Sequence, residues 1–349
     1  MAKIKLKGHN INLTNIVIHK LNKSAGDKVS RLKLATDEIT IGRSEVKFIA
    51  DVRESLYKKS VPTHGVFRDD FLNNGFQKAI LAYKNNEIDF MQFSKKSMSY
   101  YKRVIEASVP ATGGFLVFSD FTMTDSNKDR YILILAIDNR QGYSLNEAAL
   151  ALDEILNLDL NKMDLASLLN MTRWDRSQTE EQDVKTYITF VRGKKKISDY
   201  YLNFIGCEDR TTASQSSRLL LDTINTYVQE KGIPQHTYKD VTSRILDYCQ
   251  DCNKRKIEIN LAQISRHFDD ENPDDFLFYA TSERFGNNEI IKYDSKILRT
   301  LKFIDYKSED FELKFNKKML GKSIRYNKSK NILTISDLPD DLKLLFTDK

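Results

Sequence analysis

Apolar and polar residues alternate with a period of two over residues 11–21 and 29–35, the spacing of half-buried strands, on either side of a turn at Ser24-Ala25-Gly26-Asp27. The period then lengthens to that of helices. Over 45–59, Val46, Ile49, Ala50 and Leu56 fall on one side; over 69–85, Leu72, Phe76 and Ile80 recur at steps of four; over 89–107, Phe90, Phe93, Tyr101, Val104 and Ile105 share a face. Two further strands are predicted at Gly114-Phe115-Leu116-Val117-Phe118 and Tyr131-Ile132-Leu133-Ile134-Leu135-Ala136-Ile137, joined through polar residues 124–129 as a long hairpin. The second is almost continuously apolar, which predicts a central strand covered on both faces.

Beyond a polar, acidic stretch at Thr179-Glu180-Glu181-Gln182-Asp183, the pattern predicts a strand over 186–191 and a helix over 197–205. Longer helices follow over 213–230 and 238–254, separated by the breaker Gly232-Ile233-Pro234, and short strands over 311–315 and 332–335. The expected fold class is α+β, with a mostly antiparallel sheet and helices in the N-terminal part and a mixed, helix-rich C-terminal part with short strands. A chain of 349 residues exceeds one ordinary core, so two domains are expected, 1–180 and 181–349.

Composition narrows the setting. No apolar run approaches the roughly 18 residues of a membrane helix, so no membrane partner is expected. The opening Met1-Ala2-Lys3-Ile4-Lys5-Leu6-Lys7 has no apolar stretch behind it, unlike a secretory leader. Three cysteines make no disulfide framework and point to a reducing, cytoplasmic compartment. The net charge of +6 is modest for a polyanion binder, so its distribution matters more than its size. One basic run comprises Lys3, Lys5, Lys7, Lys20, Lys23, Lys28, Arg31 and Lys33 against Asp27 alone. A second comprises Lys314, Lys317, Lys318, Lys322, Arg325, Lys328 and Lys330, with no acid between Glu312 and Asp337. The loop Asp269-Asp270-Glu271 with Asp274 and Asp275 is acidic and would repel DNA.

Catalytic motifs are incomplete. Leu320-Gly321-Lys322-Ser323 ends like a phosphate-binding loop, but the glycine required five positions before Gly321 is Asn316. Cys249-Gln250-Asp251-Cys252 has metal-motif spacing, yet Val241, Ile245, Cys249 and Cys252 share a helical face, so both thiols are expected in the core. The five histidines form no triad pattern. Asp37 with Glu45-Val46-Lys47 is a poor match to a metal-dependent nuclease, because an acid at a helix start is expected from the dipole. No catalytic residue, metal or cofactor is expected. The helix over 238–254 and the segment 257–268 imitate a helix-turn-helix but read better as core, and the lone Trp174 reads as packing. Arg192-Gly193-Lys194-Lys195-Lys196 lies between a predicted strand and a predicted helix, where cations and free helix amides suit a phosphate backbone; a solvated basic turn is the equal alternative.

Several segments together resemble the NdpA-type nucleoid-associated family of bacteria. They are Ile16-Val17-Ile18-His19-Lys20-Leu21, Gly113-Gly114-Phe115-Leu116-Val117-Phe118, the strand at Tyr131, Leu158-Asp159-Leu160-Asn161, and the passage through Trp174 to Tyr187-Ile188-Thr189-Phe190-Val191-Arg192-Gly193. Ile197-Ser198-Asp199-Tyr200-Tyr201-Leu202-Asn203-Phe204-Ile205-Gly206 and Met319-Leu320-Gly321-Lys322-Ser323-Ile324 complete the series, which is thinnest between Lys231 and Asp310. The resemblance implies a nucleoid location, binding of double-stranded DNA with weak sequence preference, and no enzymatic activity. Phosphate contacts are expected from Arg192, Lys194, Lys195 and Lys196 and from Lys317, Lys318, Lys322 and Arg325. Protein partners at the nucleoid and a homo-oligomer are compatible with such a role. The alternative is an anti-phage defence or protein-interaction component of the same family, with latent nuclease activity.

Overall fold

The computed structural model describes residues 10–58, 62–69, 73–124, 128–138, 141–146, 151–156, 165–178, 186–191 and 199–346. Two compact units are present: one comprises Met1–Thr211 with Thr281–Glu289, the other Thr212–Ala280 with Ile290–Lys349. The division falls later than the polar stretch at 179–183, which lies outside the described residues.

In the first unit the elements are β1 (Ile11–Asn22), β2 (Arg31–Lys33), α1 (Arg43–Lys58), β3 (Thr63–Phe67), α2 (Gly75–Lys84), α3 (Phe90–Glu106), β4 (Gly114–Met123) and β5 (Arg130–Asp138). The hairpin β6 (Gln141–Asn146) and β7 (Ala151–Leu156) follows, then β8 (Leu165–Asn170), α4 (Met171–Ser177), β9 (Ile188–Val191), α5 (Asp199–Ile205) and β10 (Cys207–Glu208). Eight strands form one sheet in the order β10-β3-β9-β8-β5-β4-β1-β2, and every pairing is antiparallel. The predicted hairpin is β4–β5, in register from Gly114↔Asp138 to Thr122↔Arg130.

Alternation along β5 explains its unbroken apolar run. Ile132 and Ile134 enter one core with Phe76, Phe93, Ile105 and Phe204 of α2, α3 and α5, while Tyr131, Leu133 and Leu135 enter a second with Ile49, Val52 and Leu56 of α1. The sheet is therefore roofed on both sides, which an unrelieved apolar strand requires. Helix starts follow local chemistry: Asp89 and Gln92 make a reciprocal capping box at α3, and the Asn74 side chain accepts from Gln77 N at 2.9 Å to open α2. Only part of the helix predicted over 69–85 forms, and β3 and β8 are strands that the periodicity did not separate from their surroundings. Gly206 ends α5 at φ +70 with no room for a Cβ, which would lie 2.4 Å from Asn74 Nδ2.

The second unit contains α6 (Ala213–Glu230), α7 (Gln235–Arg255), β11 (Ile259–Asn260), α8 (Leu261–Arg266), α9 (Asp274–Thr281), β12 (Ile290–Ile291) and α10 (Ser295–Leu298). It ends in two ribbons, β13 (Phe303–Lys307) with β14 (Glu312–Asn316) and β15 (Ile324–Asn327) with β16 (Ile332–Ile335), and the short α11 (Asp340–Leu344). The break at Gly232-Ile233-Pro234 separates α6 from α7 as the pattern predicts, with Gly232 at φ +63. No described helix is long and apolar enough to cross a membrane.

Candidate nucleic-acid interface

The C-terminal cations sit on a small module of the second unit. At the end of β14 the Asn316 side chain accepts from Lys318 N at 2.9 Å, opening a 3-10 turn over Lys317–Met319. Gly321, at φ +85, donates its N–H to Ile324 O at 2.7 Å, and this tight reversal delivers the chain into β15. The antiparallel register Ile324↔Ile335, Arg325↔Thr334, Tyr326↔Leu333 and Asn327↔Ile332 then sorts the side chains. Arg325, Asn327, Ile332 and Thr334 occupy one face of the ribbon; Ile324, Tyr326, Leu333 and Ile335 occupy the other.

Of the predicted phosphate contacts here, Lys322 and Arg325 are exposed. Lys318 is exposed too, but its ammonium pairs with Asp240 at 3.0 Å, and that hydrogen bond holds the Asp240 carboxyl below its ordinary range. Lys317 is half-buried, and burial lowers the pKa of its ammonium. Lys328 and Lys330, in the turn between β15 and β16, are exposed and extend the cationic run. Arg192, Lys194, Lys195 and Lys196 lie outside the described residues; β9 ends at Val191 and α5 begins at Asp199 on either side of them.

The N-terminal basic run is partly consumed by the fold. Lys23 is buried and donates to the carbonyls of Ser108, Val109 and Ala111, and Lys20 lies over the Phe115 ring at 4.9 Å. Other sequence candidates resolve structurally. Cys249 and Cys252 are buried, with the Cys249 thiol pushed up to about 12 by burial and then by Cys252. Glu45 accepts from Gly42 N at 2.8 Å at the start of α1. Trp174 packs edge-on to Phe67, with the Lys84 ammonium 4.7 Å from its ring. In the imitation of a helix-turn-helix, α8 spans six residues and buries Leu261, Ile264 and Ser265.

One constellation has no counterpart among the sequence motifs: a polar centre in the first unit built around Glu283. Its carboxylate accepts from Arg53 Nη2 at 3.0 Å, from Asn170 Nδ2 at 3.1 Å and from the Tyr131 hydroxyl, while Arg173 reaches its backbone carbonyl at 3.4 Å. Asn170 Nδ2 also donates to Asp129 Oδ2 at 2.9 Å. Beside it, buried His64 donates from Nε2 to Thr281 O at 3.0 Å, which leaves Nδ1 to accept from Thr189 Oγ1 at 3.1 Å. Asn288 receives His64 N at 2.7 Å and so caps the β3 backbone as a neighbouring strand would. These contacts enclose a cavity of about 10 Å³, the lower limit for one water, and no cluster of three metal-ligating side chains occurs among the described residues. The arrangement fastens segment 281–289 to the sheet. Nothing in the sequence around Glu283 signals it, because Arg53 lies 230 positions away.

Comparison with known proteins assigns the chain to a family. The family described as nucleoid-associated protein YejK matches residues 17–343. A nucleoid-associated protein of Pseudomonas entomophila (strain L48) is 24% identical over 332 residues, covering 95% of this chain and 97% of its own length. One from Metapseudomonas resinovorans is 24% identical over 335 residues (95% and 98%), and one from Pseudomonas paraeruginosa (strain DSM 24068 / PA7) is 25% identical over 335 (95% and 95%). The resemblance carried by the motifs thus holds along almost the whole length, and the chain belongs to the YejK family of nucleoid-associated proteins.

Proposed function

We propose that the protein binds double-stranded DNA of the bacterial nucleoid through the phosphate backbone, with weak sequence preference and without catalysing a reaction. The observation that carries this reading is the run of exposed cations Lys322, Arg325, Lys328 and Lys330 on one turn-and-ribbon module, in a chain whose relatives are nucleoid-associated. Cations held at a tight turn and a ribbon neutralise phosphates and release condensed counterions, a gain that is independent of base identity. Arg192, Lys194, Lys195 and Lys196 add a second cationic group in sequence, and Lys317 and Lys318 border the first.

Fluorescence anisotropy of labelled duplexes at several salt concentrations tests it. Log affinity should fall linearly with log salt, and changing the duplex sequence should have little effect. Alanine at Lys322, Arg325, Lys328 and Lys330 should flatten the slope by about 0.9 for each phosphate no longer neutralised. Alanine at Lys194, Lys195 and Lys196 should flatten it in the same way. Absence of binding at low salt would overturn direct association, and an unchanged slope would remove the altered segment from the interface.

A further inference from the structure

The Glu283 carboxylate fills a site that the rest of the first unit builds without it. Arg53 lies 5.6 and 5.8 Å from the rings of Tyr57 and Tyr131, which hold its guanidinium by cation–π contact. The Asn170 amide is fixed from both sides: its Oδ1 accepts from Arg173 N at 2.9 Å at the start of α4, and its Nδ2 donates to Asp129 Oδ2. Tyr131 stands on β5 and Arg173 on α4. Glu283, by contrast, comes from a segment that after Thr281 contains neither helix nor strand. Donors held in place by groups other than their acceptor form a preorganised receptor, and Glu283 is its detachable occupant.

That occupant does not exhaust the receptor. Both carboxylate oxygens are engaged, one by Arg53 Nη2 and the other by Tyr131 and Asn170. Among the described residues no acceptor reaches Arg53 Nε, which is buried, and Arg173 meets the Glu283 backbone carbonyl at the long distance of 3.4 Å. A guanidinium fork is matched by an anion that offers an oxygen to each arm, and an idle buried donor costs free energy. A tetrahedral oxyanion has the additional oxygens. The side chains of Arg53 and Glu283 are 26% and 18% exposed, so the pair reaches the surface.

We propose that this centre is an exchangeable phosphate-binding site, in which Arg53, Arg173, Tyr131 and Asn170 take a phosphate dianion in place of Glu283, as the free ion or as a terminal monoester. Asn170 Nδ2, bonded to both carboxylates, separates the anion from Asp129. Binding displaces the Glu283 carboxylate and loosens segment 281–289 from the sheet, so the phosphate level sets how firmly that segment is held. None of the cations assigned to DNA takes part, and the two readings stand or fall separately.

The test uses the full chain slightly above neutral pH, with inorganic phosphate compared against chloride at equal ionic strength. In wild type, phosphate competes with Glu283, so amide exchange at 281–289 should quicken several-fold while α6 and α7 are unchanged. In Glu283→Ala the competitor is gone, and about 10 mM phosphate should raise Tm by about 3 °C for a site of about 1 mM affinity. Arg53→Met added to Glu283→Ala should abolish that rise, whereas a general salting effect of phosphate would persist. Unchanged exchange in wild type, no rise in Glu283→Ala, or a rise that survives Arg53→Met overturns the proposal. The wild-type measurement decides it if Glu283→Ala does not fold. A nucleoside 5′-monophosphate that matches inorganic phosphate assigns the site to a phosphate end on a larger molecule; inorganic phosphate acting alone assigns it to the free ion.

Discussion

His19 and His64 are both held neutral. His19 Nδ1 accepts from Ala35 N at 3.0 Å, which fixes the proton on Nε2 facing Ser94 Oγ at 3.0 Å. Burial, and for His19 also Lys95, lowers each imidazole from 6.5 to about 4. A depressed folded pKa means that the unfolded chain takes up the proton first. The stability these residues supply is therefore complete above pH 6.5 and lost as the pH falls toward 4, at up to about 3 kcal/mol each. Denaturant unfolding between pH 7 and 4 should show that loss, and His19→Phe should reduce its steepness. Gly206 allows a second prediction at this scale. Alanine there must displace Asn74 and Gln77, which hold the start of α2, while keeping a positive φ. A cost of at least about 2 kcal/mol is expected, read as a fall in Tm of about 4 °C or more. His19 was legible only as a motif residue, since its partners Ser94 and Ala35 come from elements no local pattern links to it.

Elements with a steady period were readable, and those that depend on distant partners were not. Both faces of β5 could be inferred from its composition alone, and α3, α6 and α7 begin and end within a few residues of their expected places. β3 was missed because Thr63-His64-Gly65-Val66-Phe67 has little apolar alternation; pairing with β9 and β10 makes it a strand. Segment 281–289 has no periodicity and no regular element of its own apart from the last residue of α9, and it is held by Glu283 and Asn288 side chains. Glu283→Ala leaves the Arg53 and Tyr131 donors without this acceptor in a mostly buried site, while Asn170 keeps Asp129. A loss of about 3 kcal/mol is expected. Amide hydrogen exchange should localise it as faster exchange at 281–289 and at His64, with α6 and α7 unaffected; uniform acceleration throughout the chain would contradict the clasp.

At the scale of the molecule, sequence and structure agree on an α+β fold with a mostly antiparallel sheet. The nucleoid association was legible because its evidence is a long series of motifs spread over most of the chain. The cationic residues were readable as charge, but charge in sequence does not report use. Lys23 is spent on three carbonyls and Lys318 pairs with Asp240, whereas Lys322, Arg325, Lys328 and Lys330 are among the exposed cations. Lys318→Ala should therefore change the salt slope of DNA binding less than Arg325→Ala does, a comparison two titrations would decide.

The return of the chain at 281–289 has a consequence for its synthesis. The last strand of the large sheet is complete by Glu208, but the carboxylate that neutralises Arg53 is encoded much later. Between Thr211 and Glu289 the ribosome adds roughly 80 residues, about 4–16 s at ordinary elongation rates. Throughout that interval the nascent sheet carries a cationic, donor-rich notch awaiting its acceptor, so its final closure is timed by translation of the helices that follow.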